Sequence, residues 1–177
     1  MTNACSVRLV THKDLPMILD WRNQPSIRQY MLTQHEISLV EHQNWFAKSS
    51  LDTTRCMVIV EELDRPIGFV QFSNISDGRI ANWGFYARPD APKGSGTKLG
   101  KAALSYGFSE LSLHKICGQA IEKNINSIAF HKALGFTQEG VLREQQLIGS
   151  TYHSLVCFGL LNHEWQTLQS REKHANA

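Results

Sequence analysis

The stretch Lys93-Gly94-Ser95-Gly96-Thr97-Lys98-Leu99-Gly100 sets the tightest limit on what this chain can build. It joins an apolar run, Ile80 to Tyr86, to a segment in which Leu99, Ala103, Leu104, Phe108 and Leu111 recur at helical spacing. Three glycines within seven positions free the backbone for a tight turn and for close approach of a ligand. The first amides of a helix have no internal partners, and the positive end of the helix dipole points the same way. A strand, a glycine turn and a helix in that order therefore make a seat for a phosphate or pyrophosphate. The same residues also suit an ordinary surface loop, so the rest of the chain has to decide.

With 177 residues, 42% of them hydrophobic, the chain has enough apolar material for one domain with a core, expected over residues 1–170. Residues 171–177 are polar and are expected to form an unstructured tail. A net charge of +2, with no run of like charge, gives no reason to expect a nucleic-acid partner. Cys5, Cys56, Cys117 and Cys157 are too scattered for a disulfide framework and read as reduced thiols. No lysine-led apolar leader and no apolar run of about 20 residues is present, so a soluble, cytoplasmic protein without a membrane partner is expected. The 8 histidines and four cysteines show no metal-ligand spacing, and no metal is expected.

Taken in order, Ser6 to Val10 reads as a strand, and Thr11 caps a helix carrying Leu15, Ile18, Leu19 and Trp21 that ends before Pro25. Ser38 and Glu41 have capping-box spacing ahead of a helix bearing His42, Trp45 and Phe46. Met57 to Val60 and Ile67 to Phe72 read as an antiparallel pair, followed by the strand Ile80 to Ala87. In that strand Ala81, Trp83 and Phe85 share a core face, while Asn82, Gly84 and Tyr86 share a face that Gly84 leaves open to a ligand. Lys115 to Ile121 is a strand, Asn126 to Leu134 a helix closed by Gly135, and a hairpin turns at Gly149-Ser150. This order is an α+β arrangement with a mixed, mostly antiparallel sheet and flanking helices. It is neither a Rossmann repeat nor a nucleotide triphosphatase loop, which would end in Gly-Lys-Ser/Thr.

Two motifs resemble the GNAT family, the acetyl-coenzyme A-dependent N-acetyltransferases. The glycine loop matches the pattern Arg/Gln-x-x-Gly-x-Gly/Ala through Lys93 and Gly96, with Lys98 at the last small position. The segment Asn124 to Phe136 resembles Asn-x-x-Ala/Ser-x-x-Leu-Tyr-x-x-x-Gly-Phe, with His131 where the family's tyrosine stands. Trp21-Arg22-Asn23, Ile27-Arg28, Met31, Ile37-Ser38, His42 and Trp45 are similar to one GNAT branch, which acetylates the 4-amino group of UDP-4-amino-4,6-dideoxy-N-acetyl-β-L-altrosamine in pseudaminic acid biosynthesis. The resemblance implies a GNAT fold, acetyl-CoA as co-substrate, a UDP-linked amino sugar as acceptor and a product used in flagellin glycosylation. It leaves a homodimer open. The Trp-Arg-Asn element also occurs in GNATs that act on ribosomal-protein N-termini or polyamines, and the missing tyrosine also suits a non-catalytic acyl-CoA-binding module.

Acetyl transfer to an amine needs a held pantetheine arm, an anchored pyrophosphate, a polarised carbonyl and a proton for the departing sulfur. The resemblance implies cofactor contacts at Ala87, Arg88, Lys93, Gly94, Ser95, Gly96, Thr97, Lys98, Asn124 and Lys132. For proton transfer the candidates are His131, whose imidazole can both donate and accept, Tyr86 on the open strand face, and Glu122 just beyond the second groove strand. Arg22 and Arg28 suit a pyrophosphate, Met31 and Trp45 a uracil or sugar methyl, and His42 a uracil or phosphate. Each also has a plain structural reading: a packed histidine, a surface charge, or an apolar residue of the core. No nucleophile triad is evident, and direct attack without an acyl-enzyme is expected.

Overall fold

The computed structural model describes residues 5–175. Seven strands form one sheet: β1 (Cys5–Leu9), β2 (Cys56–Glu62), β3 (Arg65–Ser73), β4 (Ile80–Ala87), β5 (Lys115–Ile121), β6 (Thr137–Ile148) and β7 (Thr151–Leu161). Their spatial order is β1-β2-β3-β4-β5-β7-β6. Every neighbouring pair is antiparallel except β4 and β5. The helices are α1 (Leu15–Asn23), α2 (Pro25–Arg28), α3 (Leu39–Ser49), α4 (Ser95–Ser109), α5 (Ile125–Ala133) and α6 (Asn162–Ala175), with a 3-10 turn at His12–Asp14. The expected mixed, mostly antiparallel sheet with flanking helices is the arrangement found.

β2 is apolar at successive positions because both of its faces are covered. Val58 and Val60 join Val70, Phe72, Leu99, Ala103 and Leu104 in the larger core, under α4. Met57 and Ile59 turn the other way and pack with Leu15, Ile18, Phe46 and Phe69 beneath α1 and α3. Each such fully buried aliphatic side chain contributes about 1.5–3 kcal/mol relative to an exposed one.

The helix starts follow from capping chemistry. Thr11 and Asp14 form a reciprocal capping box, the Thr11 amide reaching Asp14 Oδ2 at 2.8 Å. Ser38 Oγ accepts from the Glu41 amide at 3.2 Å, and Asn124 Oδ1 from the Ser127 amide at 3.1 Å. Gly94 opens α4 with φ of 92°, a conformation that side-chain-bearing residues avoid.

One expectation about the C-terminus is corrected. Residues 171–175 continue α6 as helix instead of forming a loose tail. The segment is rich in good helix formers, and Lys101 Nζ on α4 bonds Glu172 Oε1 at 2.6 Å. Residues 176–177 lie outside the described residues.

Candidate active site

Parallel pairing between β4 and β5 covers only Ile80↔Lys115, Ala81↔Ile116 and Asn82↔Cys117. Beyond that point the strands splay, while β4 stays paired to β3 as far as Gly68↔Ala87. The β4 edge from Trp83 to Ala87 therefore faces a groove with main-chain groups that no strand pairs. The groove encloses about 560 Å³. Its walls are β4 and the Gln119–Ile121 end of β5, closed by Asn124, Ser127 and Phe130 of the α5 region and by residues 26–32.

At one end the groove reaches Gly96 and Leu99 at the start of α4. The Ser95 amide bonds Pro92 O at 3.0 Å and the Lys98 amide bonds Gly94 O at 3.3 Å. Among the described residues, the Gly96 and Thr97 amides between them have no main-chain partner outside the helix, and the helix supplies none this early. Open space next to Gly94 leaves the turn accessible. A pyrophosphate fits this seat, and an extended arm with amides of its own fits the unpaired strand edge.

A second cavity of about 220 Å³ meets the groove at Met31 and at Gly84, Phe85 and Tyr86. Arg22 from α1, His42 and Trp45 from α3, and Phe69 and Gln71 from β3 form its other walls. Arg22 is buried; its Nη2 donates to Thr33 O at 2.6 Å, while Nη1 has no partner among the described residues. His42 is also buried, its ring stacked on Trp45 at 5.0 Å, and its Nδ1 lacks a partner among the described residues. Burial, and then the neighbouring Arg22 cation, push the His42 pKa down. Tyr86 sets its hydroxyl 3.5 Å from Ile18 O, and burial pushes its pKa up, only partly offset by Arg22, so the phenol keeps its proton.

The structure thus brings Arg22, Met31, His42, Trp45 and Tyr86 together, and places Ala87, Gly96 and Asn124 on the groove. Several expected residues lie elsewhere. His131 is 1% exposed and does not line the groove. Its Nδ1 donates to Ser127 O at 2.7 Å and its Nε2 accepts from Trp83 Nε1 at 3.1 Å. An indole can only donate and a carbonyl only accept, so these partners fix the tautomer. The ring stacks on Phe158 at 4.7 Å, and burial pushes its pKa down despite the Ser127 hydrogen bond. His131 is a packed core histidine with no free nitrogen for a proton relay.

Glu122 accepts from the Ser154 amide at 3.2 Å and lies 3.9 Å from His153 Nδ1; it ties β5 to β7 and lines neither cavity. Arg28 turns to Glu36 at 3.5 Å, away from Arg22's cavity. Arg88 pairs with Asp90 at 2.9 Å and borders a different cleft, and its amide is taken by Ile67 O at 2.8 Å. Lys98 is held by Glu62, and Lys93 and Lys132 are exposed and line neither cavity. Among the described residues, no cluster of histidine, cysteine, aspartate or glutamate is grouped to hold a metal ion.

Some groove residues escape the sequence reading. Gln71 stands opposite Gly84 in register and so borders the space that glycine leaves. Cys117 and Gln119 line the groove because alternation along β5 sends both to the face of Asn82 and Gly84. That alternation was available in the sequence once the two strands were known to be neighbours. Tyr30 and Leu32 had no such signal, since residues 24–38 follow no strand or long-helix period.

Residues 6–137 match the acetyltransferase (GNAT) domain. The chain is 30% identical over 127 residues to acetyltransferase PseH of Campylobacter jejuni, covering 72% of this chain and 75% of that protein. It is 26% identical over 169 residues to the spermidine N(1)-acetyltransferase of Escherichia coli, covering 93% and 91%. The solved spermidine N-acetyltransferase of Vibrio cholerae, in complex with CoA and spermine, superposes with a TM-score of 0.84 at 25% identity, covering 92% of this chain and 98% of that one. The protein belongs to the GNAT family and is an N-acetyltransferase that takes its acetyl group from acetyl-CoA.

Proposed function

We propose that the acceptor is a UDP-linked amino sugar, specifically the 4-amino group of UDP-4-amino-4,6-dideoxy-N-acetyl-β-L-altrosamine, and that the product serves pseudaminic acid biosynthesis. One observation carries this reading: among the described residues no carboxylate lines the groove or the side cavity, and Arg22 offers a buried guanidinium with one unpartnered nitrogen. A polycation held without opposing carboxylates would leave its charges desolvated and unpaired, which costs several kcal/mol. An anionic nucleotide with carbonyl and hydroxyl oxygens meets Arg22 favourably. Met31 and Trp45 supply the apolar surface that a base or a deoxy-sugar methyl requires.

In this reading the amine attacks the thioester directly at the junction of the two cavities, beside Gly84 and Phe85. Main-chain amides on the β4 edge polarise the carbonyl, and one donor aimed at the developing oxyanion is worth roughly 2.7–4 kcal/mol. Tyr86 lines both cavities and keeps its proton, so it takes the role of donor to the departing sulfur. A polyamine acceptor is the second reading, because similarity to spermidine acetyltransferases extends along 93% of the chain. Calorimetric titration of the acetyl-CoA complex separates the two. UDP is expected to bind and spermidine not to; spermidine binding without UDP binding reverses the assignment.

A further inference from the structure

Two buried polar side chains line the side cavity and carry nitrogens that no described residue satisfies. His42 is 4% exposed, and its Nδ1 has no hydrogen-bond partner among the described residues; Arg22, whose Nη1 is likewise buried and unpartnered, lines the same cavity. Leaving such a group unsatisfied costs about 1–3 kcal/mol, and folded proteins keep few of them. Two on one wall mark a place where a bound molecule or its water completes the bonds. His42 is also held in place, by α3 and by its stack on Trp45, and it faces the β4 segment Gly84, Phe85 and Tyr86 across a cavity that opens into the groove.

We infer that His42 is the base that takes the proton from the acceptor amine. The inference rests on the reading of acetyl transfer to an amine, and not on which amine is used. As the nitrogen forms its bond to the acetyl carbon, it sheds a proton to His42. Tyr86 supplies one to the sulfur as the carbon–sulfur bond breaks. His42 then returns its proton to solvent and Tyr86 recovers one, so the net transfer is from nitrogen to sulfur.

The surroundings keep the ring in the form this role needs. Arg22 faces it from α1, Tyr86 from β4, and the neutral Gln71 and Phe69 from β3. Glu41, its neighbour on α3, is engaged by His35 at 2.9 Å, and Arg28 is turned to Glu36. No carboxylate among the described residues lines the cavity to pair with an imidazolium, and burial with Arg22 favours the neutral ring. A neutral imidazole at neutral pH is ready to accept a proton and releases it readily afterwards.

The test is the pH profile of kcat/KM for whichever amine the wild-type protein turns over, with wild type, His42→Gln and His42→Ala compared. The wild type is expected to lose activity on an acid limb below the ordinary histidine range, ~6.5. His42→Gln is expected to lose about 100-fold or more in kcat and to lose that limb, with the KM for acetyl-CoA within about twofold. Added imidazole is expected to restore part of the His42→Ala rate. Acetyl-CoA binding by calorimetry shows that the variants are folded. Nitrogen NMR of wild-type His42 in the acetyl-CoA complex gives a reading independent of any acceptor, and is expected to find a neutral ring at pH 7. A His42→Gln variant with kcat within about threefold of wild type, an unchanged acid limb, or a cationic His42 at pH 7 overturns the inference. Turnover of spermidine or a peptide in place of the nucleotide sugar overturns the acceptor assignment, and His42 is then judged on that amine.

Discussion

Replacing His131 by phenylalanine leaves the Trp83 indole without its acceptor and the Ser127 carbonyl without the ring's donor. Unsatisfied buried groups of this kind cost about 1–3 kcal/mol each, so the variant is expected to unfold at lower urea concentration. Its pH profile for kcat/KM should keep the wild-type shape, because His131 reaches neither cavity. A lost acid limb in this variant would return His131 to the chemistry. Tyr86→Phe makes the contrasting case: kcat is expected to fall about 10²-fold, as for loss of a general acid, with stability little changed. The hydroxyl's bond to Ile18 O is long, at 3.5 Å, so its removal forfeits little. Sequence position told these two apart poorly. The alternation of β4 and the helical motif put both residues near the groove, but only packing shows that His131 points into a shell of Trp83, Phe136 and Phe158 while Tyr86 lines both cavities.

At the level of elements, Trp21-Arg22-Asn23 organises the wall that α1 and residues 24–38 give the two cavities. Trp21 is buried, Arg22 holds Thr33 O, and Asn23 bonds Ile37 twice: Nδ2 to its carbonyl at 2.8 Å and Oδ1 from its amide at 2.9 Å. Asn23 thus closes residues 24–38 into a loop whose ends meet, and that loop supplies Ile27, Tyr30, Met31 and Leu32 to the groove. Asn23→Ala is expected to raise the KM for the acceptor roughly tenfold, and to make residues 24–38 exchange their amides faster in hydrogen–deuterium exchange mass spectrometry. Unchanged exchange there would show that other contacts hold the loop. The strand-loop-helix seat and the α5 cap were legible because periodicity, glycines and a capping asparagine are local signals. The partners of Lys98, Arg28 and Arg88 were not, because Glu62 and Asp90 become neighbours only through strand register and turn geometry, and Glu36 through the loop's path. A lysine beside a glycine loop reads as a phosphate ligand until the strand carrying Glu62 is laid beside it.

For the molecule as a whole, the sheet is a continuous support that opens where β4 and β5 part, with the larger core holding both groove strands and the smaller one packed on the other face of β2 and β3. Among the described residues no helix is long and apolar enough to cross a membrane. The far edge is tied down by Arg8, which bonds Asp14 at 2.8 and 2.9 Å and Glu61 at 2.8 Å, joining β1, β2 and the turn before α1. Burial alone would raise the Asp14 pKa, but the hydrogen bonds from Arg8 and Thr11 together hold it below the ordinary value. A carboxyl depressed in the folded state contributes stability above its unfolded value, ~3.9, and loses that contribution as pH falls through its folded value. Arg8→Ala is therefore expected to lower the urea midpoint at pH 7, with the gap to wild type closing below about pH 4. A gap that persists in acid would mean that Arg8 acts through packing of its stem.

We propose a nucleotide-linked amine as the acceptor for a GNAT fold whose side cavity has no carboxylate among its described lining residues. The most direct measurement is thiol release from acetyl-CoA by the purified protein, with UDP-4-amino-4,6-dideoxy-N-acetyl-β-L-altrosamine, spermidine and an N-terminal peptide compared on one preparation. The kcat/KM for the nucleotide sugar is expected to be at least 100-fold above that for either alternative. Equal or faster turnover of spermidine or the peptide would rule out the nucleotide sugar as the preferred acceptor.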